Sequence, residues 1–319
     1  MKRTTYIAIA LAGVLTLATG CGTDETQANK DAYRQIGINC MEQGDYEGAV
    51  SAFQSALDQS LAEIGEEEID TCYYKAAAQY AAGNTQDAID TYQALIDYDK
   101  KNADAHYLLA NLYLKEQNTT DANAQYKLAA EYAGNNYDLY IAIYNQLNAT
   151  GDTQSAQEYL NLALENKGKS AEDYTSRGRI YLLLGDYENA KTQLDSAVEK
   201  KSVEANLYMA QLYEAQGEDE KAAALYESYV ENNKEDPIAL NCLGCMKSEA
   251  GDYKAAIEYF NMALALDNPS NVQELQKNLI LAYEQNGNFP EARDAMAAYT
   301  KAYPKDEAAA REYLFLITR

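Results

Sequence analysis

The stretch EAGDYKAAIEYFNMALALDNP, residues 249–269, occurs in the chain in two further, slightly altered forms. QGDYEGAVSAFQSAL begins at Gln43, and LGDYENAKTQLDSAV begins at Leu184. Each form places a Gly-Asp pair in front of apolar residues spaced three and four positions apart, which is the spacing of one face of a helix. A sequence motif that recurs in this way indicates a structural element that is repeated along the chain.

The turn position of the phrase occurs eight times, at intervals of 39, 34, 34, 34, 32, 34 and 36 residues. It is occupied by Gly44, Gly83, Gln117, Gly151, Gly185, Gly217, Gly251 and Gly287. Alanine follows five positions later in every repeat, and a large apolar residue follows four positions after that. The spacing therefore predicts eight repeats of one helical hairpin.

Residue size explains why this hairpin is reused. A glycine at Gly251 ends the first helix cheaply in a left-handed conformation, and Asp252 is suited to cap the second helix. Gly244 and Ala256 are small where two helix backbones must approach, so they leave room for Phe260.

With these residues the chain resembles the tetratricopeptide repeat family, whose unit of about 34 residues is a helix, a turn and a second helix. The resemblance implies an all-α fold, a right-handed superhelical α-solenoid of about eight helix hairpins with a C-terminal capping helix. The predicted repeats are 30–63, 69–102, 103–136, 137–170, 171–202, 203–236, 237–270 and 273–306. Residues 307–319 are predicted to be the cap, partly buried on the eighth repeat, and a contact with another protein is the alternative.

The first residues differ from the repeats. Lys2 and Arg3 precede an uncharged run from Thr4 to Gly20, which is typical of an export signal. Residues 18–21, Ala-Thr-Gly-Cys, resemble a bacterial lipobox, so residues 1–20 are predicted to be a lipoprotein signal peptide and Cys21 the lipidation site. Residues 21–29 then read as a lipidated cysteine and flexible tether, which predicts an extracytoplasmic protein anchored to the bacterial membrane. A plain secretory signal with a coincidental cysteine is the alternative.

The charge balance bears on possible partners. The chain has 26 Lys and Arg against 50 Asp and Glu, a formal net charge of −24. Such a charge repels nucleic acid and attracts cationic partners at low salt. We therefore expect protein or peptide partners, with cationic ones favoured, and no nucleic acid.

Catalytic and metal-binding chemistry finds little support in the sequence. His106 is the single histidine, and it replaces tyrosine or leucine at a packing position of the repeat. Cys242 and Cys245 form a lone CxxC, which lacks the second pair that a structural zinc site needs. Oxidation of that pair, or of Cys40 with Cys72, remains open. No catalytic residue, cofactor or metal is predicted.

In the family that the chain resembles, one face of the first helices lines a concave groove that holds extended peptides or a partner's helix. Transferred by repeat position, the groove residues are Tyr73, Asp104, Tyr107, Asn111, Asp138, Ile141, Asn145, Arg179, Leu207, Gln211 and Asn241. Asn111 and Asn145 occupy equivalent positions one repeat apart, so they are predicted to bind a ligand backbone in register.

Three functions follow as hypotheses. The first is a lipid-anchored protein-binding scaffold in envelope or surface complex assembly. The second is a surface lipoprotein that captures sugars or cell-wall fragments on tyrosine platforms, which the placement of most tyrosines at packing positions disfavours. An enzyme is the third. The partner's identity and the oligomeric state are left open by the sequence.

Overall fold

A computed structural model describes residues 23–60, 64–266 and 271–318, with side chains from Thr26 onward. The predicted signal peptide and the predicted lipidation site, Cys21, lie outside the described residues. Seventeen α-helices and no β-strand occur within these ranges, so the all-α fold class is confirmed. Among the described helices, none combines the length and apolar character needed to cross a bilayer.

The chain divides into two compact units, residues 1–166 and 167–319. The first contains α1 (Thr23–Glu42), α2 (Tyr46–Asp58), α3 (Glu66–Ala81), α4 (Thr85–Tyr98), α5 (Ala103–Lys115), α6 (Thr119–Tyr132), α7 (Tyr137–Ala149) and α8 (Thr153–Ala163). Successive helices pack against one another as hairpins.

The second unit repeats this arrangement and adds one helix. It contains α9 (Ala171–Leu183), α10 (Tyr187–Glu199), α11 (Glu204–Ala215), α12 (Asp219–Asn232), α13 (Pro237–Glu249), α14 (Tyr253–Leu264), α15 (Val272–Gln285), α16 (Phe289–Ala302) and α17 (Glu307–Leu316). From α1 to α16, odd-numbered helices are the first helices of their repeats and even-numbered helices are the second.

The joint between α13 and α14 shows how the repeated phrase folds. Gly251 has φ = 78°, the left-handed region that glycine enters without a Cβ penalty. The Asp252 side chain then accepts a hydrogen bond from the Ala255 amide at 3.2 Å and caps α14. Both roles were predicted from the sequence and are confirmed.

The small residue on α13 is required by the ring that faces it. A Cβ built on Gly244 lies 2.4 Å from Cε1 of Phe260, closer than any side chain could be accommodated without movement. Phe260 itself is only 1% exposed and packs in a cluster with Leu240, Leu243 and Ala256. The same relation holds between Gly37 and Phe53, where the distance is 2.5 Å, so the explanation by residue size is confirmed.

The tether predicted before the first repeat is wrong for most of its length, because α1 begins at Thr23. Gln27 donates a hydrogen bond to Asp31 one turn further on, and another to Glu67 of α3 at 3.0 Å. Polar composition alone suggested a linker, but contacts between the first turns of α1 and a neighbouring helix stabilise helical structure there.

The C-terminal helix α17 is partly buried against α15 and α16 of its own unit. Ala309 and Leu316 are buried in a cluster with Ile280 and Met296, whereas Leu314, Phe315 and Ile317 are exposed. The helix therefore covers the end of α16 with one face and presents an apolar surface on another.

Candidate functional site

A cleft of about 380 Å³ opens on the second unit. It is formed by α9 and α11 together with the first turns of α10 and α13. Its lining residues are Arg179, Leu182, Leu183, Tyr187, Leu207, Tyr208, Gln211, Ala215 and Ile238. We call it the α9–α11 cleft.

Helical periodicity places these residues on one surface. Leu207 and Gln211 lie four residues apart on α11, and Arg179 lies three and four residues before Leu182 and Leu183 on α9, so each set shares a helix face. Three of the predicted groove residues, Arg179, Leu207 and Gln211, thus line one cleft.

The cleft combines a buried floor with an apolar rim. Leu207 is 4% exposed, whereas Leu183, Tyr187 and Ile238 are 37%, 37% and 47% exposed. Large apolar side chains scattered over a surface are ordinary, but several of them around one concavity are typical of binding sites.

A cation–π contact and a hydrogen bond, both made by Tyr208, organise one wall of the cleft. The guanidinium carbon of Arg179 lies 5.6 Å from the centre of the Tyr208 ring, and the Tyr208 hydroxyl donates a hydrogen bond to Glu204 at 3.2 Å. Because Arg179 stacks on this ring and Tyr208 is only 9% exposed, the aromatic face is already occupied.

In the first unit, Tyr73 has a structural role. Its hydroxyl donates to the Asn102 side-chain oxygen at 2.8 Å, and the same oxygen caps α5 by accepting from the Ala105 amide at 2.9 Å. Burial raises the pKa of Tyr73 to about 12, so the side chain is a neutral donor at ordinary pH.

The two equivalent asparagines differ in their surroundings. The side-chain oxygen of Asn111 accepts a hydrogen bond at 2.6 Å from Tyr126, a fully buried residue whose ring also lies 6.2 Å from that of Tyr107. Asn145 is exposed. Asn111 therefore has only its amide NH₂ to offer a ligand, and Asn145 is the freer of the two to bind a ligand backbone.

The remaining predicted groove residues fall into three environments. Asp104 and Asp138 are exposed at the first turns of α5 and α7. Ile141 is 3% exposed, so its main contact is with the core. Asn241 accepts a hydrogen bond from Asn278 at 3.2 Å across the faces of α13 and α15. Their role in binding stays a prediction.

Family models for the tetratricopeptide repeat match residues 79–147, 175–237 and 244–307. These matches together cover more than half of the chain. The chain belongs to the tetratricopeptide repeat family.

Three solved structures are similar to this chain at low sequence identity. A tetratricopeptide repeat protein from Parabacteroides merdae is 16% identical, with 92% of this chain and all of that chain covered and a TM-score of 0.47. PilW, a type IV pilus biogenesis factor, is 20% identical over 66% of this chain and 97% of its own, with a TM-score of 0.48. The Cut9–Hcn1 structure of the APC/C is 14% identical over 94% of this chain and 61% of that chain, with a TM-score of 0.51. At such identities these likenesses concern the fold alone.

Some cleft residues of this tetratricopeptide repeat protein were not singled out from the sequence. The groove residues were transferred from the second, fifth, ninth and twelfth positions of each repeat, which form one stripe of the first helix. Leu182 and Ile238 occupy the twelfth and second positions of their repeats, so this pattern could have identified them. Leu183 and Tyr187 stand at the end of α9 and the start of α10, on either side of the turn. Their place in the cleft follows from how the turn folds beside α11, which repeat position does not specify.

The single histidine packs inside the first unit. His106 is 3% exposed, and its ring nitrogens lie 2.6 Å from the Gln125 side-chain oxygen and 3.1 Å from the Lys100 carbonyl oxygen. Its ring also lies 5.8 Å from that of Tyr132. Its assignment as a packing residue is confirmed.

The four described cysteines, Cys40, Cys72, Cys242 and Cys245, are free thiols and half-buried. Burial raises the pKa of Cys72, Cys242 and Cys245 to about 11, which disfavours the reactive thiolate. Within the described ranges, no group of three or more His, Cys, Asp or Glu side chains could hold a metal ion.

Proposed function

We propose that this repeat protein is a non-enzymatic scaffold that is anchored by lipid at Cys21 outside the cytoplasm. In this role, the faces of its first helices bind partner proteins or extended peptides in the assembly of an envelope or surface complex. Tetratricopeptide repeats as a family support protein–protein interaction, and the anchor and its location extend that role for this chain.

The observation that carries the proposal is the α9–α11 cleft. Arg179, Leu207 and Gln211 come from two successive repeats and line one open concavity beside exposed apolar side chains. Such a surface suits a protein segment, since it offers apolar area for affinity and a side-chain amide for hydrogen bonding.

The proposed partner is cationic overall. The net charge of −24 and the exposed Asp104 and Asp138 on the first helices favour a basic surface during encounter. Association is then expected to slow as ionic strength rises, because salt screens the attraction between exposed charges.

The capture of sugars on tyrosine platforms is less well supported. Tyr226 is fully buried, and Tyr181, Tyr213 and Tyr283 are half-buried. Within the cleft, Arg179 covers the ring of Tyr208. A sugar needs an exposed aromatic face on which to stack, and these side chains use their faces for packing. Among the described lining residues, Tyr187 alone offers an exposed ring.

A site-specific crosslinking experiment tests the scaffold. A photoreactive amino acid replaces Gln211 in the cleft or, as the matched control, the exposed Lys254 on the second helix α14. We expect discrete protein adducts in cells from position 211 and none of these from position 254. Identical adduct patterns at the two positions would contradict the proposal.

The anchor has its own test. Membrane fractionation compares the wild type with Cys21→Ser, which cannot be lipidated. We expect the wild type in the membrane fraction and the variant in the soluble fraction of the envelope. If the variant stays with the membrane, the lipid anchor is wrong, whereas the binding role is judged by crosslinking alone.

A further inference from the structure

The α9–α11 cleft has a chemical character of its own, with an apolar rim and carboxylates next to it. The rim residues Leu183, Tyr187 and Ile238 project from three different helices or turns. Because they are more than a third exposed, a bound side chain would remove apolar area from water on several sides at once.

Three carboxylates adjoin this rim. Asp186 directly precedes Tyr187 and caps α10. Glu204 accepts the hydrogen bond of Tyr208. Asp236 caps α13 by accepting from the Ile238 and Ala239 amides at 2.9 and 3.1 Å.

Positive charge at the cleft is limited by comparison. Arg179 is the one cationic side chain among the described lining residues, and its guanidinium already stacks on Tyr208. The lining thus holds one cation and no carboxylate, while Asp186, Glu204 and Asp236 stand next to it in the chain or by a hydrogen bond, in keeping with the negative charge of the whole chain.

From this arrangement we propose that the α9–α11 cleft binds a peptide segment with a large apolar side chain flanked on both sides by lysine or arginine. The proposal rests on the scaffold function and adds the chemistry of its ligand. The apolar side chain enters between Leu183 and Ile238, above the floor formed by Leu207. The flanking cations lie against Glu204 and the two capping aspartates.

The cleft also supplies a group that orients the segment. Gln211 lines the cleft, and its amide can both donate to and accept from a peptide backbone. Since the capping carboxylates already accept backbone hydrogen bonds, they are held in place before the ligand arrives. Such prior ordering lowers the cost of binding.

Three labelled ten-residue peptides probe the full-length chain by fluorescence anisotropy. The first carries Leu-Phe at its centre with two lysines on each side. The second replaces the lysines by glutamates, and the third keeps the lysines but replaces Leu-Phe by Ser-Ser. We expect the first to bind at least about 10-fold more tightly than either of the others. Equal affinity of the first and second peptides, or of the first and third, would overturn the proposal.

Variants then locate the binding site. Ile238→Ser removes part of the rim and Glu204→Gln removes one carboxylate. Leu281→Ser and Glu258→Gln are the matched controls, since Leu281 and Glu258 are exposed and neither is a lining residue of the cleft. We expect each cleft variant to bind the first peptide about 5-fold to 10-fold more weakly than the wild type. Each control is expected to bind it with unchanged affinity.

Circular dichroism is used first to check that all four variants are folded. Equal losses in cleft variants and controls would show that the peptide binds elsewhere and would overturn the inference. Failure of the ligand chemistry is distinguishable from failure of the scaffold. Adducts at position 211 without peptide binding reject only the ligand proposed here, whereas absence of both rejects the function as well.

Discussion

At the scale of single residues, one turn position departs from the rest of the array. The other seven turn positions hold glycine with φ between 73° and 86°, whereas Gln117 adopts φ = 61°. A left-handed conformation costs a residue with a Cβ roughly 1–2 kcal/mol. The hairpin of α5 and α6 therefore forms in spite of its turn residue, held by the contacts between its helices.

Replacing Gln117 by glycine is expected to stabilise the protein. Relief of the strain outweighs the extra chain entropy of glycine in the unfolded state, for a net gain of about 0.5–1 kcal/mol. The change in the free energy of unfolding is measured by urea denaturation, with circular dichroism as the signal. Gln117→Ala retains the Cβ and is the control, so a glycine variant no more stable than the alanine variant would contradict the argument.

A second residue-scale prediction concerns Gly244 and Phe260. Phe260→Ala is expected to cost about 3–5 kcal/mol through the cavity it leaves, and Gly244→Ala about 1–3 kcal/mol through overpacking. Because the added methyl group and the ring occupy the same space, Gly244→Ala should cost less in the Phe260→Ala background. The four unfolding free energies form a double-mutant cycle, and strict additivity would show that the two side chains do not compete.

At the scale of elements, α1 is held to its unit by charge as well as by packing. The Lys30 ammonium lies 2.7 Å from Glu67 and 2.6 Å from Glu68 of α3, and Arg34 pairs with Asp70. Glu68 also accepts hydrogen bonds from Ser60 at 2.8 Å and from the Gly65 amide at 2.8 Å. A polar helix with few buried side chains is thereby fixed in one position.

The pH dependence of stability follows from Glu68. Burial alone raises the pKa of this carboxyl, but hydrogen bonds from Lys30, Gly65 and Ser60 outweigh it and lower the pKa to about 2 from 4.5. Because the folded-state pKa is the lower one, the stabilisation is present above pH 4.5 and is lost as the pH falls toward 2.

Glu68→Gln is expected to lower stability by about 1–3 kcal/mol near neutral pH, since a hydrogen-bonded carboxylate is lost. The difference from the wild type should shrink as the pH falls below 4.5, because the carboxyl then binds a proton in the unfolded chain, whereas in the folded protein it does so only near pH 2. Thermal unfolding of both proteins at pH 7, 4.5 and 3 measures this difference in stability. Glu66→Gln, at an exposed position in the same first turn, is the control. A difference that does not change with pH would exclude the electrostatic explanation.

At the scale of the whole molecule, the chain comprises two compact units, each with its own hydrophobic clusters. In the second unit these clusters centre on Leu212, Phe260 and Tyr299, and all their members come from residues 174–316. In repeat arrays, stability is approximately the sum of contributions from repeats and from the contacts between neighbours. A unit that contains several complete repeats therefore retains the contacts between neighbouring repeats that stabilise its fold.

Residues 167–319 expressed alone are expected to fold. The nine helices described in this range already bury their apolar faces on one another, so the fragment should show a helical spectrum and a cooperative thermal transition. Circular dichroism measures both. Residues 203–236 alone, a single hairpin, are the control and are expected to remain largely unfolded. A disordered longer fragment would contradict this account of stability.

The repeat, its period and its joints could be predicted from the amino-acid sequence, because they depend on interactions between residues close in the chain. Gly251, Asp252 and the small residue at Gly244 act through local turns, caps and one contact within a hairpin. Repeat position also indicated which face of the first helices carries Arg179, Leu207 and Gln211.

The start of α1, the exposure of individual side chains and the construction of the cleft could not be predicted in this way, because they depend on the folded chain. Asn111 and Ile141 look equivalent to free groove residues in the sequence, yet one is engaged by Tyr126 and the other is buried. Leu183 and Ile238, 55 positions apart, meet at one cleft. Burial and hydrogen bonding depend on neighbours distant in the chain, and a repeat period of 34 residues does not specify those neighbours.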